Sequence, residues 1–237
     1  MSKLDAVLFD LDGTLIDTAP DFIRIIGVMC AKHNHPTPSD ADIREQVSAG
    51  ARAMVRLMFG DELAEVADTD DKLLAYRQEF LDLYEQDICV DSQLFDGLDD
   101  LLKNLENQGV PWGIVTNKPR YLAENLLNKL NLTDRCRVLV CPDDVANTKP
   151  DPEPIFLAVQ RLNALGVSVR AENCIYVGDH IRDIQAGNAA QMTTVIAKFG
   201  YLSRADHANL HEWGADVVLD TPDELARWVL AKLENKA

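Results

Sequence analysis

Apolar residues arrive in short blocks, each closed by a polar or turn-forming residue: at 5–9, in "PWGIVTN" (111–117), "RVLVC" (137–141), "NCIYVGD" (173–179), "TTVIA" (193–197) and "ADVVL" (215–219). Blocks of this length, apolar on successive positions, suit strands buried on both faces of a parallel sheet. Between them the apolar period lengthens to that of a helix. Leu98, Leu101, Leu102 and Leu105 share one face ahead of Gly109, and Leu122, Leu126, Leu127 and Leu130 repeat the spacing. Asp151-Pro152 marks a helix start with a first-turn proline, and Thr221-Pro222-Asp223-Glu224 reads as a capping box. Strand alternating with helix predicts an α/β fold, a doubly wound, Rossmann-like parallel sheet.

Residues 18–90 interrupt this alternation. Phe22, Ile25, Ile26 and Met29 stand at helical spacing, and "DDKLLAYRQEFLDLYEQ" (70–86) has the period of a further amphipathic helix, but no strand pattern appears. The simplest organisation is an inserted α-helical subdomain, 18–90, on a discontinuous sheet core, 1–17 and 91–237.

Composition narrows the partners. With 39 acids against 23 bases the 237-residue chain carries a formal charge of -16, so nucleic acid or an anionic membrane would meet a repulsive mean field. An anionic substrate therefore needs a local cation. Cys30, Cys89, Cys136, Cys141 and Cys174 are scattered and include no C-x-x-C pair, which predicts free thiols rather than disulfides or a zinc site. The opening Met1-Ser-Lys-Leu-Asp has no leader-like pattern and no apolar run reaches membrane-spanning length, so a cytoplasmic location is expected.

In an open parallel sheet, ligands bind beyond the carboxyl ends of the strands. The residues there are Asp10 and Asp12 of "VLFDLDGTLID", Thr116 and Asn117, Lys149 of "NTKPDPEP", and Asp179 with Asp183 of "GDHIRD". Two carboxylates held close repel by roughly 4 kcal/mol at 4 Å in an effective dielectric near 20, which favours a cation between them. A hard divalent ion with oxygen ligands, Mg²⁺ by abundance, suits Asp10, Asp12 and a third acid, Asp179. Asp10 is ionised at neutral pH and can attack phosphorus without a base to activate it. Asp12 can protonate the leaving alcohol and later deprotonate water. Gly13 allows a sharp turn whose amide helps hold the transferring group, Thr116, Asn117 and Lys149 bind phosphate oxygens, and Asp183 orients Lys149 or holds metal-bound water.

"DLDGT" (10–14), the Thr of "IVTN" (116), the Lys of "TKPDP" (149) and "GDHIRD" (178–183), in this order, resemble the haloacid dehalogenase-like phosphohydrolases over essentially the whole chain. The resemblance implies Asp10 as nucleophile, Asp12 as acid/base, Thr116 and Lys149 as phosphate binders, and a metal held by Asp179, the Asp10 carboxylate and the Asp12 carbonyl. It further implies a central first strand, a β-hairpin flap beside the first motif, and residues 18–90 as a cap that opens and closes over the site. "DTAPD" (17–21), "TNKP" (116–119) and "KPDPEP" (149–154) are similar to the phosphoglycolate phosphatase group; "ARAMV" (51–55), "LFDG" (94–97), "CPDDVANTKPDPEP" (141–154) and "WGADVVLD" (213–220) are similar to bacterial phosphatases of N-acetylmuramate 6-phosphate. That ester is the first-choice substrate and 2-phosphoglycolate the second. Both carry a carboxylate, for which Arg52 in the cap is the chosen reader.

A sugar phosphomutase of the same family is a further alternative, although the β-phosphoglucomutase branch has an acid at the position of Gly178. A signalling receiver domain also combines an acceptor aspartate, Mg²⁺, threonine and lysine, but its acceptor follows a middle strand and it has no helical insertion. His180 is expected to be an exposed loop residue, slightly weakening metal affinity and without a catalytic role.

Overall fold

The computed structural model describes residues 4–234, so the expectations about Met1–Lys3 and about 235–237 lie outside the described residues. In chain order the elements are β1 (Ala6–Phe9), β2 (Ile16–Asp17), α1 (Ala19–His33), α2 (Asp40–Val47), α3 (Ala51–Phe59), α4 (Asp71–Gln86), β3 (Gln93–Leu94), α5 (Leu98–Asn107), β4 (Trp112–Val115), α6 (Arg120–Lys129), β5 (Leu139–Val140), α7 (Glu153–Ala164), β6 (Cys174–Gly178), α8 (Ile181–Ala189), β7 (Thr193–Ala197), α9 (Arg204–Asn209), β8 (Val217–Leu219) and α10 (Pro222–Glu234). Six strands form one sheet in the order β5-β4-β1-β6-β7-β8, with every neighbouring pair parallel. These are the six apolar blocks of the sequence. The chain winds one way from β1 through β4 to β5 and the other way through β6, β7 and β8, so the order reverses at β1 and opens a crevice at its carboxyl end.

Strand alternation divides the core. Val7 and Phe9 pack into one apolar layer with Leu101, Leu105 and Leu225, while Ala6 and Leu8 face the opposite layer with Ile155, Ala158 and Leu162. The leucines picked out by period are buried in α5 and α6, apart from Leu130, which is half-buried just past the end of α6. Both helix-start motifs act, Asp151 from one residue ahead of the N-cap Pro152 and Thr221 directly before the first helical residue. The Asp151 carboxylate accepts from the Glu153 amide at 2.9 Å, and Thr221 Oγ1 accepts from the Glu224 amide at 3.1 Å while Glu224 reaches back to the Asp220 amide rather than to Thr221.

Four helices, α1 to α4, lie between β2 and β3 with no strand among them. Their apolar faces meet one another: Phe22 of α1 lies 5.8 Å from Phe80 and 4.5 Å from Tyr84 of α4, measured between ring centroids. Beside the first motif, where a β-hairpin flap is expected, lies a two-stranded antiparallel ribbon whose strands are far apart in the chain. Ile16 and Asp17 pair antiparallel with Leu94 and Gln93, so the short ribbon joins the point where the chain leaves for the four helices to the point where it returns. Two residues are too few to pair stably with their own neighbours, and the returning segment supplies the missing edge. Asp21, fully buried in the first turn of α1, reinforces this joint by accepting the amides of Val90, Asp91 and Ser92 and the Ser92 hydroxyl, with Arg24 as its counter-ion at 2.7 Å.

Candidate active site

Asp10 follows the last residue of β1 and its main-chain amide donates to the Val177 carbonyl of β6 at 2.8 Å, which fixes the start of the turn between two central strands. Asp10 as a whole is 3 % exposed. Lys149, on the loop leading to α7, projects into the same crevice and is almost wholly buried. Its ammonium donates to Asp10 Oδ1 (2.8 Å), Asp183 Oδ1 (2.6 Å), the Val115 carbonyl (2.8 Å) and the Tyr176 hydroxyl (2.9 Å). A buried ammonium with four oxygens around it is fully satisfied, and it makes Asp10 and Asp183 tolerable in the core. Burial works against the Asp10 anion, but Lys149 and the Arg182 guanidinium outweigh it and hold the group below the usual carboxylate range.

Asp179 begins the loop after β6. It accepts from Thr14 Oγ1 (3.1 Å), Ser48 Oγ (2.7 Å) and the Tyr201 amide (2.8 Å). Burial, then Asp10 and Asp183, push its pKa up to about 7. Asp10, Asp179 and Asp183 each offer an oxygen, all within 4.8 Å of one another. Three buried carboxylates against one ammonium leave an excess of negative charge, and an all-oxygen donor set of this kind fits a hard divalent cation. Gly13 keeps the approach open: its φ is +82°, and a Cβ there would meet Asp179 Oδ2 at 2.3 Å.

The predicted metal set and the acidic cluster differ in one member. Asp12 does not share its carboxylate with the trio; Lys118 Nζ and Thr18 Oγ1 both donate to its Oδ1 at 2.8 Å. The acid completing the trio is Asp183, placed by the sequence reading behind Lys149. Asp183 also accepts the His180 amide at 3.1 Å, while His180 Nδ1 accepts the Arg182 amide at 3.2 Å. His180 is therefore the N-cap of α8 and only partly exposed, which corrects the expectation of an exposed loop histidine. Burial and the neighbouring Arg182 lower its pKa to about 4, so the ring stays neutral.

Thr116 and Asn117 lie at the end of β4 and line the cavity in front of Asp10. Thr116 Oγ1 accepts the Lys118 amide at 3.1 Å, which leaves its own proton free to donate. Asn117 donates to the Lys149 carbonyl at 3.1 Å, and its Oδ1 is buried without a partner. The cavity, about 370 Å³, continues from these residues to α3 and α4, where Arg52, Met54, Arg77 and Phe80 form its wall.

Several contributors were not legible as site residues. Lys118 stands in the quoted "TNKP", yet its pairing with Asp12 depends on Phe22 and Tyr84, whose rings lie 4.9 and 4.6 Å from its ammonium. Ser48 reaches Asp179 from the end of α2, and Arg182 donates to the Ser48 carbonyl in return. Nothing local to Ser48 or Tyr201 signals these contacts.

Residues 7–197 match the family model described as haloacid dehalogenase-like hydrolase. The chain belongs to that family. Among its relatives, an N-acetylmuramic acid 6-phosphate phosphatase of Pseudomonas putida is 45% identical over 225 residues, 95% of this chain and 96% of that one. A phosphoglycolate phosphatase of Xanthomonas campestris is 41% identical over 220 residues, 93% of this chain and 94% of that one. The crystal structure of a phosphoglycolate phosphatase predicted in Haemophilus somnus superposes with a TM-score of 0.79, covering 97% of this chain and 99% of that one at 22% identity, a likeness of fold. The five cysteines are free, and among the described residues no helix is long and apolar enough to cross a membrane.

Proposed function

We propose that this member of the family is a Mg²⁺-dependent phosphatase that hydrolyses a small phosphomonoester through an aspartyl-phosphate on Asp10. The observation that carries the reading is the Lys149 ammonium buried between Asp10 and Asp183, with Asp179 beside them, at the point where the sheet order reverses. Asp10, Asp179 and Asp183, with the Asp12 carbonyl, are the residues to hold the metal, and Mg²⁺ would supply Lewis-acid relief of the repulsion between carboxylate and phosphate.

In the first step an Asp10 oxygen attacks phosphorus, the bond from phosphorus to the ester oxygen breaks, and Asp12 delivers a proton to the departing alkoxide. In the second, water attacks the same phosphorus, Asp12 takes its proton, and the acyl phosphate bond breaks to return Asp10 and release inorganic phosphate. Thr116, Asn117 and Lys149 hold the phosphoryl oxygens, with the Gly13 amide. Residues 18–90 act as a cap over this chemistry, the β2–β3 ribbon being its base, and closure would exclude water from the transferring group.

N-acetylmuramate 6-phosphate is the first-choice substrate. The Pseudomonas putida relative is named for it, and a cavity of about 370 Å³ suits a sugar phosphate better than a two-carbon acid. The Xanthomonas campestris relative keeps 2-phosphoglycolate as the alternative. A phosphomutase is disfavoured because a side chain at Gly178 would meet the Asp183 Cβ at 2.2 Å, leaving no place for an acid there.

The test is release of inorganic phosphate from p-nitrophenyl phosphate with Mg²⁺, expected from the wild type and lost by more than about 10³-fold in Asp10→Asn. Full turnover by the variant would overturn the nucleophile assignment. Side-by-side kcat/KM on the two candidate esters then ranks the substrates.

A further inference from the structure

The charges lining the cavity do not balance, and the imbalance lies at the end away from the strands. Asp10 and Asp12 are the acids of the lining, and each already has an ammonium, Lys149 or Lys118, while Arg182, a further lining cation, is engaged by the Ser48 carbonyl. Arg52 of α3 and Arg77 of α4 line the same cavity and, among the described residues, have no carboxylate or hydrogen-bond partner for their guanidinium groups. Both cations sit where a globular protein disfavours them. Arg77 is half-buried, and burial together with the like charge of Arg52 lowers its pKa. Arg52 occupies the first turn of α3, which holds no acid and whose N-cap, Gly50, has no side chain to offer, so its charge adds to the positive end of the helix macrodipole. In a chain of net charge -16, acids to neutralise the pair are plentiful, yet none is placed there.

We infer that Arg52 and Arg77 form a second anion subsite, so that the substrate is a phosphomonoester bearing a separate carboxylate, read by this pair while its phosphate lies at Asp10. The inference rests on the phosphatase reading above and extends it from Arg52 alone to a paired site with Arg77 as the new specificity residue. Guanidinium groups suit the task because each presents a planar fork of donors to a carboxylate and cannot lose its charge. Met54 and Phe80 add apolar wall to the same cavity, which favours a carbon skeleton over a second phosphate there. The opposite charges of ligand and wall meet only when the carboxylate is present, so the subsite discriminates through binding of the intact substrate.

The experiment compares two 6-phosphates on the same sugar frame, N-acetylmuramate 6-phosphate and N-acetylglucosamine 6-phosphate, which lacks the lactyl carboxylate. For the wild type, kcat/KM should favour the carboxylated ester by roughly 10- to 100-fold, the range of a charge-assisted hydrogen-bonded pair, and the difference should lie in KM. Arg77→Gln and Arg52→Gln should each bring the ratio towards one, with Arg77→Lys restoring part of it. Because the ratio is taken within one enzyme preparation, a variant that folds poorly does not distort it. A wild-type ratio near one, or an Arg77→Gln ratio equal to that of the wild type, overturns the subsite while leaving the phosphatase reading intact. Failure to release phosphate from any ester would strike that reading instead.

Discussion

The two ends of one cavity treat charge in opposite ways. At the strand end, Lys149 serves two carboxylates, a carbonyl and a hydroxyl, and Asp179 has three donors from three separate segments. At the helical end, Arg52 and Arg77 line one wall and, among the described residues, have no counter-ion. The first end is built for a reaction that is the same for every phosphate ester, so its groups are held in place by the protein itself. The second selects among esters, and its charges are left for the ligand to complete. Rigidity marks the chemistry, and unspent charge marks the specificity.

The sharpest way to break the strand end is Lys149→Met, the change with the largest expected effect. Removal of the ammonium strands Asp10 and Asp183 in the core, and one partner lost from a buried ion pair costs about 3–5 kcal/mol. Phosphate release should fall by about 10³-fold or more, since the same group neutralises the attacked phosphate. Thermal melting and a phosphate assay on the surviving folded fraction measure the two separately. A variant losing less than about 1 kcal/mol and keeping its turnover would show that the cluster is not mutually dependent.

Next comes the joint that carries the helical end. Asp21→Asn keeps the size of the side chain but replaces one of two accepting oxygens with a donor, facing either the Val90 and Asp91 amides or the Ser92 amide and hydroxyl, and it removes the buried one of the three carboxylates around Arg24. A loss of about 2–3 kcal/mol is expected. Burial raises the Asp21 pKa, but its bonds with Ser92 and Arg24 lower it further, so the folded value lies below the ordinary one. The contribution is then fully present above the ordinary carboxylate pKa, near 4, and is lost as pH falls through the folded value. Chemical denaturation should show wild type and variant converging as pH drops below about 4. A constant gap down to pH 2 would rule out the carboxylate as the source.

These residues also show where a sequence stops being readable. Asp10, Lys149 and Asp179 were legible because each follows an apolar block, and a parallel sheet brings the carboxyl ends of its strands to one edge whatever the intervening helices do. Asp183 was seen, but as a support for Lys149 or for metal-bound water, because its place in the carboxylate cluster with Asp10 and Asp179 depends on where α8 starts. Ser48, Arg77 and Tyr201 come from segments whose approach is decided by packing of side chains far apart in the chain, and none carries a local motif. The β2–β3 ribbon joins Ile16 to Leu94 across the whole helical insertion, a pairing that two-residue strands cannot advertise. His180 misled because a histidine in a loop sequence and a histidine at an N-cap differ only in where its ring nitrogen points.

The smallest expected effect separates the two ends most finely. Arg52 is exposed and Arg77 half-buried, so their pull on a carboxylate is partly screened by salt, whereas the Lys149 cluster is buried and responds little. Raising ionic strength from about 0.05 M to 0.5 M shortens the Debye length from roughly 14 Å to about 4 Å and should raise the KM for N-acetylmuramate 6-phosphate by a few-fold, with kcat nearly constant. N-acetylglucosamine 6-phosphate should show a weaker dependence, because only its phosphate senses the field. In Arg52→Gln/Arg77→Gln the two esters should follow the same shallow line. If salt instead lowers kcat for both esters alike, the screened charges are those that move the phosphoryl group, and the contrast between a self-neutralised strand end and an uncompensated helical end fails.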